Sequence, residues 1–129
     1  MIGSNAFNYI NVLDKAADAS WMRNNVITNN IANVDTPGYK RKDVQFESYL
    51  MSALMGDNSL EKRVSEVRLD AINPSIYTDY MNYSYRLDGN NVDIDTEEAN
   101  LAQNQIRYYA LIESMNQEFG RLKSVLQSK

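Results

Sequence analysis

Two residue types are missing altogether from the 129 residues, cysteine and histidine. Without cysteine there is neither a disulfide framework nor a thiolate metal site. The redox compartment stays open, because a cysteine-free chain tolerates either side of a membrane. Without histidine the commonest general base and the commonest zinc ligand are gone, and no histidine-based triad can form. The five glycines stand singly, so there is no Gly-rich phosphate loop. No run of 18 apolar residues occurs, so nothing reads as a membrane-spanning helix. The opening MIGSNAFNYINVLDKAADAS lacks a basic n-region and an apolar h-region. No cleavable secretory signal is therefore expected, and any export would take another route. A basic excess is lacking too: the net charge is −4, which disfavours nucleic acid as a partner.

The acidic excess lies in residues 71–100, which hold six carboxylates and one arginine. The run DGNNVDIDTEE invites a calcium reading, but no EF-hand register fits. From Asp88, Val92 and Asp93 fall at positions 5 and 6; from Asp93, Glu98 falls where glycine belongs. Asp93/Asp95 and Glu97/Glu98 are paired carboxylates without the pocket that glycoside chemistry needs. The expectation is a non-enzyme with no cofactor and no metal site.

What is present is helical patterning. Ala6, Ile10, Leu13, Ala17, Ser20, Asn24, Ile27, Ile31 and Val34 follow alternating steps of four and three, the spacing of a heptad seam. The seam is thin, since two of its apolar positions are only alanine; Val12, Ala16, Trp21 and Val26 widen it on the flank. A helix over residues 5–33 is expected. In the last quarter Leu101, Tyr108, Ile112, Met115, Phe119, Leu122 and Leu126 share a face, with Gln105 interrupting and Leu111 and Val125 broadening it. A helix over 96–127 is expected, with Asp95 as N-cap and Glu98 in capping-box position. Neither helix can bury its stripe alone. They pair with each other, with other subunits, or with both.

The chain between them is less regular. Phe46, Tyr49, Leu50, Ala53 and Leu54 predict a short helix ending at Gly56. Residues 57–75 fit either helix or strand. Tyr83, Tyr85 and Leu87 alternate, as do Val92 and Ile94, with Asp88-Gly89-Asn90-Asn91 between, so a β-hairpin is expected there. The fold class is mainly α. Long terminal helices pair as a coiled-coil hairpin around a small irregular or β middle region. Residues 1–34 and 96–129 together make one inner domain, and 35–95 is the middle region.

The stretch NNIANVDTPGYKR, residues 29–41, has a mechanism of its own. Asn29, Asn30 and Asn33 are poor helix formers, and their amides can bond backbone freed at a helix end or groups on a packed neighbour. Thr36 precedes proline and is pushed out of helical space. Thr36-Pro37-Gly38-Tyr39 has the type II turn pattern. Lys40, Arg41 and Lys42 then form a basic triplet, either solvated or matched to an acidic patch such as the 88–98 run of a neighbouring copy.

Residues 24–50, NNVITNNIANVDTPGYKRKDVQFESYL, resemble the N-terminal signature of the bacterial flagellar rod and hook family. Asn29, Asn30, Ile31, Ala32, Asn33, Thr36, Pro37, Gly38, Tyr39 and Lys40 carry the match. The segment LDGNNVDIDTEEANLAQNQIRYYALIESMNQEF, residues 87–119, is similar to a second motif of the proximal-rod type, through Asp88, Gly89, Asn90, Asn91, Val92, Asp93, Asn104, Tyr108 and Leu111. The resemblance covers residues 1–50 and 87–129. It implies a structural subunit, exported by the flagellar type III route, that polymerises into the helical drive shaft and export channel. Implied partners are further copies, FlgC and FlgF subunits, the adaptor FliE and the export gate, with no nucleic acid and no membrane span. Implied packing residues of the coiled coil are Ile10, Leu13, Ala17, Ile27, Ile31, Leu101, Tyr108, Leu111, Ile112, Met115, Phe119 and Leu122. The alternatives are a FlgC-like or distal-rod subunit, or a soluble helical adaptor or chaperone.

Overall fold

The computed structural model describes residues 2–56, 58–82 and 86–128, with side chains described from Phe7 onward. Two long helices dominate it, α1 (Ile2–Ala32) and α4 (Ile94–Gln127). At 1.5 Å per residue they are about 46 and 51 Å long. Neither contains proline, and the Thr36-Pro37 step lies just beyond the end of α1. Between them come β1 (Lys42–Gln45), α2 (Glu47–Leu54), α3 (Leu60–Glu66), a 3₁₀ turn (Leu69–Ala71) and β2 (Ser75–Thr78).

α1 and α4 pack antiparallel. Asn30 meets Glu97 and, a few turns back along α1, Ser20 meets Asn104. Trp21 faces Tyr108 with ring centroids 5.9 Å apart. Of the heptad seam, Ile10, Ala17, Ser20 and Ile27 are buried, and Ser20 O accepts from Asn104 of α4. The neighbouring alanines serve a second face. Ala19, with Ala16 beside it, packs against Phe46 and Ile72, joined by Leu50, Ala53 and Val67. These small side chains let the middle region approach α1 closely. Burying Phe46 fully contributes roughly 2–3 kcal/mol on the usual area scale.

The small sheet differs from the expected hairpin. β1 pairs with β2 antiparallel, in the register Lys42↔Thr78, Asp43↔Tyr77, Val44↔Ile76 and Gln45↔Ser75. The expected first hairpin strand, around Tyr83 and Tyr85, lies outside the described residues. Its second strand is not formed: residues 90–93 are irregular, and Ile94 opens α4. The alternation of Val92 and Ile94 records a buried loop residue followed by an exposed first-turn residue. The cap of α4 also moves. Asp93, not Asp95, is the N-cap, and its carboxylate accepts from the backbone of Asp95 (3.1 Å) and Thr96 (3.5 Å). Asp95 itself lies in the first turn, where a negative charge suits the helix dipole.

Candidate functional site

The two sequence motifs meet. Thr36 to Tyr39 form the type II turn, closed by Tyr39 N–H donating to Thr36 O at 3.2 Å, with Gly38 at φ +74°. An L side chain rarely adopts that φ, which is why glycine stands there. Gly89 has φ +76°, and a Cβ built on it would lie 3.8 Å from the Gly38 Cα. The two turns thus sit back to back. Gly38 N–H donates to Asp88 O at 2.8 Å, and Asn91 N–H to Tyr39 O at 3.3 Å.

Asn90 completes the end of α1. A helix leaves its last carbonyls without intrahelical partners. The buried Asn90 amide donates to Asn33 O (2.8 Å), Val34 O (3.0 Å) and Thr36 O (2.9 Å), while its Oδ1 accepts from Val92 N at 2.7 Å. Arg86 adds a donor to Val34 O at 2.8 Å and to Val92 O at 3.3 Å. The C-cap of α1 is therefore supplied from more than fifty residues away in the chain. Arg86 also pairs with Asp88, whose carboxyl it holds below the usual aspartate range, aided by the Asn90 N–H.

On the other side of the turn lies a buried polar cluster. Asn30 is fully buried and uses both ends of its amide. Its Nδ2 donates to Lys42 O (2.7 Å) and Glu97 Oε2 (3.2 Å); its Oδ1 accepts from Lys42 N (2.9 Å) and Tyr39 Oη (3.0 Å). Glu97 is equally buried and receives Arg41 Nε at 2.5 Å. Arg41 also reaches Asp79 and Asp43, each at 3.3 Å. Burial opposes the Arg41 charge, but Glu97 and Asp43 outweigh it and raise its pKa. Asn91 ties in the last strand end, donating to Asp79 O and Met81 O and accepting Arg41 N at 2.7 Å. Lys40 donates to Gly89 O and Asn82 Oδ1, both at 2.5 Å. The basic triplet does meet the 88–98 run, and it does so within one chain.

The family description "Flagella basal body rod protein" matches residues 10–40, which hold most of α1 and the turn. The FlgB flagellar basal body rod protein of Bacillus subtilis strain 168 is 40% identical over 122 residues, covering 88% of this chain and 89% of that protein. FlgB of Borrelia hermsii is 36% identical over 110 residues, covering 77% and 81%. FlgB of Escherichia coli K12 is 30% identical over 117 residues, covering 82% and 83%. The chain belongs to the FlgB family of flagellar basal body rod proteins.

In this FlgB-family chain the first-motif residues divide by role. Asn30 holds the strand and α4. Asn33 turns its amide back on Asn29 O at 2.8 Å and receives the Thr36 hydroxyl at 3.1 Å. Asn29 is exposed, with long contacts only: its Nδ2 donates to Tyr39 Oη at 3.5 Å and its Oδ1 accepts from Asn33 Nδ2 at 3.4 Å. The sequence suggested amides suited to neighbouring subunits; the capacity of Asn30 is instead filled inside the chain. Ile31 is half-buried, and Ala32 and Pro37 are exposed. In the second motif Asn90, Asn91 and Val92 are buried. Of the packing residues named from sequence, Ile10, Ala17 and Ile27 are buried. Leu13, Ile31, Leu101, Tyr108, Leu111, Ile112, Met115 and Leu122 are half-buried, and Phe119 is exposed.

Sequence marks Asn104 only as a motif residue, Glu97 only as one of a carboxylate pair and Ser20 only as a seam position, and it does not mark Arg86; their bonding roles come from the structure. The sequence pattern puts the polar break of the α4 stripe at Gln105, whereas the buried residue is Asn104, which donates to Ser20 O at 2.7 Å. Glu97, Leu101, Asn104, Tyr108, Leu111 and Met115 run in steps of four and three. That seam is visible only if polar residues are admitted to it.

Proposed function

We propose that the chain serves as a structural subunit of the proximal rod in the flagellar basal body, polymerising with copies and related subunits into the helical drive shaft and export channel. The observation that carries the reading is the joint between the two motifs. It fixes how the α1–α4 hairpin leaves the middle region, while the hairpin keeps apolar surface uncovered. Ile106 and Tyr109 of α4 are each 71% exposed, and Leu126 is 77% exposed. Ile106 and Tyr109, three residues apart, share one side of the helix and offer apolar surface to a partner. A heterologous contact that does not close on itself grows a helical filament. Residues 1–34 and 96–129 would form the inner domain of that filament and residues 35–95 its outer element. FlgC- and FlgF-type subunits, a FliE-type adaptor and the export gate are the neighbours this reading implies. The seam residues Leu101, Leu111, Ile112, Met115, Phe119 and Leu122 would complete their burial against such neighbours. No catalytic role is proposed.

The test replaces Asn33 with alanine and Gly38 with valine together in a motile host. Gly38→Val strains a φ of +74°, and Asn33→Ala removes the acceptor of the Thr36 hydroxyl. Loss of swimming with unchanged protein level is expected, together with loss of the chain from detergent-extracted basal bodies. Normal swimming in the double mutant would refute the role given to the joint.

A further inference from the structure

The outward side of α1 carries a stripe with an unusual chemistry. Phe7, Asp14, Asp18, Trp21 and Asn25 recur at helical spacing, and all five are exposed. Asp14 and Asp18 are an i,i+4 pair of like charge, an arrangement that weakens a helix. Nothing among the described residues relieves it. Neither carboxylate has an ion pair or side-chain hydrogen bond among the described residues. Lys15, the nearby cation, turns away to Asn73 Oδ1 at 2.8 Å. Trp21 is 57% exposed, backed by Tyr108 at 5.9 Å, and beside them is a cleft of about 120 Å³ reaching Asn24, Gln105 and Tyr109. Two free carboxylates one and two turns from an exposed tryptophan suit a cation with an aliphatic stem.

The complementary stripe is on the same chain. Near the end of α4, Phe119, Lys123 and Leu126 share a face. Phe119 is 51% and Leu126 77% exposed, and Lys123 has no ion pair among the described residues. This stripe cannot reach its own counterpart. Trp21 lies opposite Tyr108 and the helices run antiparallel, so Lys123 stands about 12 Å along the axis from Asp14, about 18 Å from Asp18 and about 22 Å from Trp21. We propose that the Phe119–Lys123–Leu126 stripe of one copy docks on the Asp14–Asp18–Trp21 stripe of a second copy, with Lys123 seated between the carboxylates and the tryptophan. The inference rests on the rod-subunit reading and names one contact within it. The two surfaces differ, so the contact is heterologous and repeats from copy to copy.

The natural absence of cysteine makes the test clean. Asp18→Cys and Lys123→Cys variants of the full chain are co-expressed in a host lacking its own copy of the gene. Basal bodies are isolated and oxidised, with Lys62→Cys on α3 replacing Lys123→Cys as control. A disulfide-linked species of twice the chain mass is expected for Asp18→Cys with Lys123→Cys and not for the control. Alongside it, Asp14→Lys with Asp18→Lys should abolish swimming, and adding Lys123→Glu should restore it. Absence of the cross-link, a cross-linked species of any other mass, or no rescue by Lys123→Glu would overturn the contact. Wild-type chain is followed in the same fractions. If it is present without the cross-link, only the contact fails; if it is missing from basal bodies, the rod reading fails.

Discussion

Replacing Asn90 with alanine is the most direct probe of the joint. Its side chain is buried and forms the cap of α1 through three carbonyls while accepting from Val92 N. The amide has two hydrogens, so the three carbonyls share them, and three bonds in all is the fair count. Each is worth about 0.5–1.5 kcal/mol net. Each carbonyl keeps a second donor, Thr36 N–H for Asn33 O, Arg86 for Val34 O and Tyr39 N–H for Thr36 O, so the loss is that of the Asn90 bonds themselves. The expected loss is about 2–4 kcal/mol, a large share of the roughly 5–15 kcal/mol that a folded domain has. Asn90→Asp sharpens the test because it keeps size and shape. It retains the acceptor for Val92 N but sets a carboxylate against carbonyl oxygens about 3 Å away, where burial penalises the charge. Asn90→Asp should therefore destabilise more than Asn90→Ala at neutral pH. The new carboxyl would have a raised folded pKa, so the native state would hold the extra proton and stability would fall as pH rises. The gap between the two variants should thus shrink toward pH 4. Urea unfolding followed by helical circular dichroism at pH 7 and pH 4 measures it. A loss below about 0.5 kcal/mol for alanine, within the range of an ordinary surface substitution, would refute the capping role. Equal stabilities for the asparagine and aspartate forms would refute it as well.

Two further outcomes follow from the charges around the joint. Glu97→Ala removes the nearest partner of the Arg41 guanidinium and one acceptor of the Asn30 amide, while Asp43, Asp79 and Lys42 O remain, and a loss of about 1.5–3 kcal/mol is expected in urea unfolding, with Glu97→Gln falling between. Burial acts to raise the Glu47 carboxyl, but the hydrogen bond and charge of Arg23, with Arg107, outweigh it and lower its pKa below the ordinary 4.5. A lowered folded pKa contributes stability that is present above 4.5 and lost as pH falls through the folded value, so Arg23→Met should flatten the decline in melting temperature below pH 4.5. An unchanged acid slope in that variant would rule out the pair as its source.

The parts of the fold that follow from local chemistry were legible before any coordinates. Heptad steps located α1 and α4, and the Thr36-Pro37-Gly38-Tyr39 pattern located the turn, because both depend on neighbours within a few residues. What escaped was set by distant partners. Asp88-Gly89-Asn90-Asn91 has the composition of a hairpin turn, and composition alone cannot say that Asn90 is capping a helix that ended more than fifty residues earlier. β1 and β2 are short, and β2 is exposed at Ser75, Ile76 and Tyr77, so no two-residue alternation betrayed it. Glu97 stands in the first turn of α4, where an acid suits the dipole, and nothing local marks it as buried. Its burial depends on Arg41 and Asn30 arriving from elsewhere.

The polar character of the joint has a physical consequence for how the two long helices align. Apolar seams made of alanine, leucine and tyrosine tolerate sliding, since one heptad of the stripe resembles the next. The polar pairs do not. A slip of α4 by one heptad would put Asn104 where Glu97 stands, opposite Asn30, and leave Arg41 facing an amide in a buried site. Arg41 would keep Asp43 and Asp79 but lose its 2.5 Å bond to Glu97, and a hydrogen bond between charged groups is worth about 1.5–3 kcal/mol. A buried ion pair adds little net stability compared with apolar packing, yet it can fix a register. That division matches the distribution of burial along α4. Its two buried residues, Glu97 and Asn104, both lie in the third nearest the joint. Beyond Asn104 the described helix carries half-buried and exposed side chains only. The joint end thus fixes which residues face each other, and the far end, aligned but poorly covered, keeps its apolar side chains available for another chain.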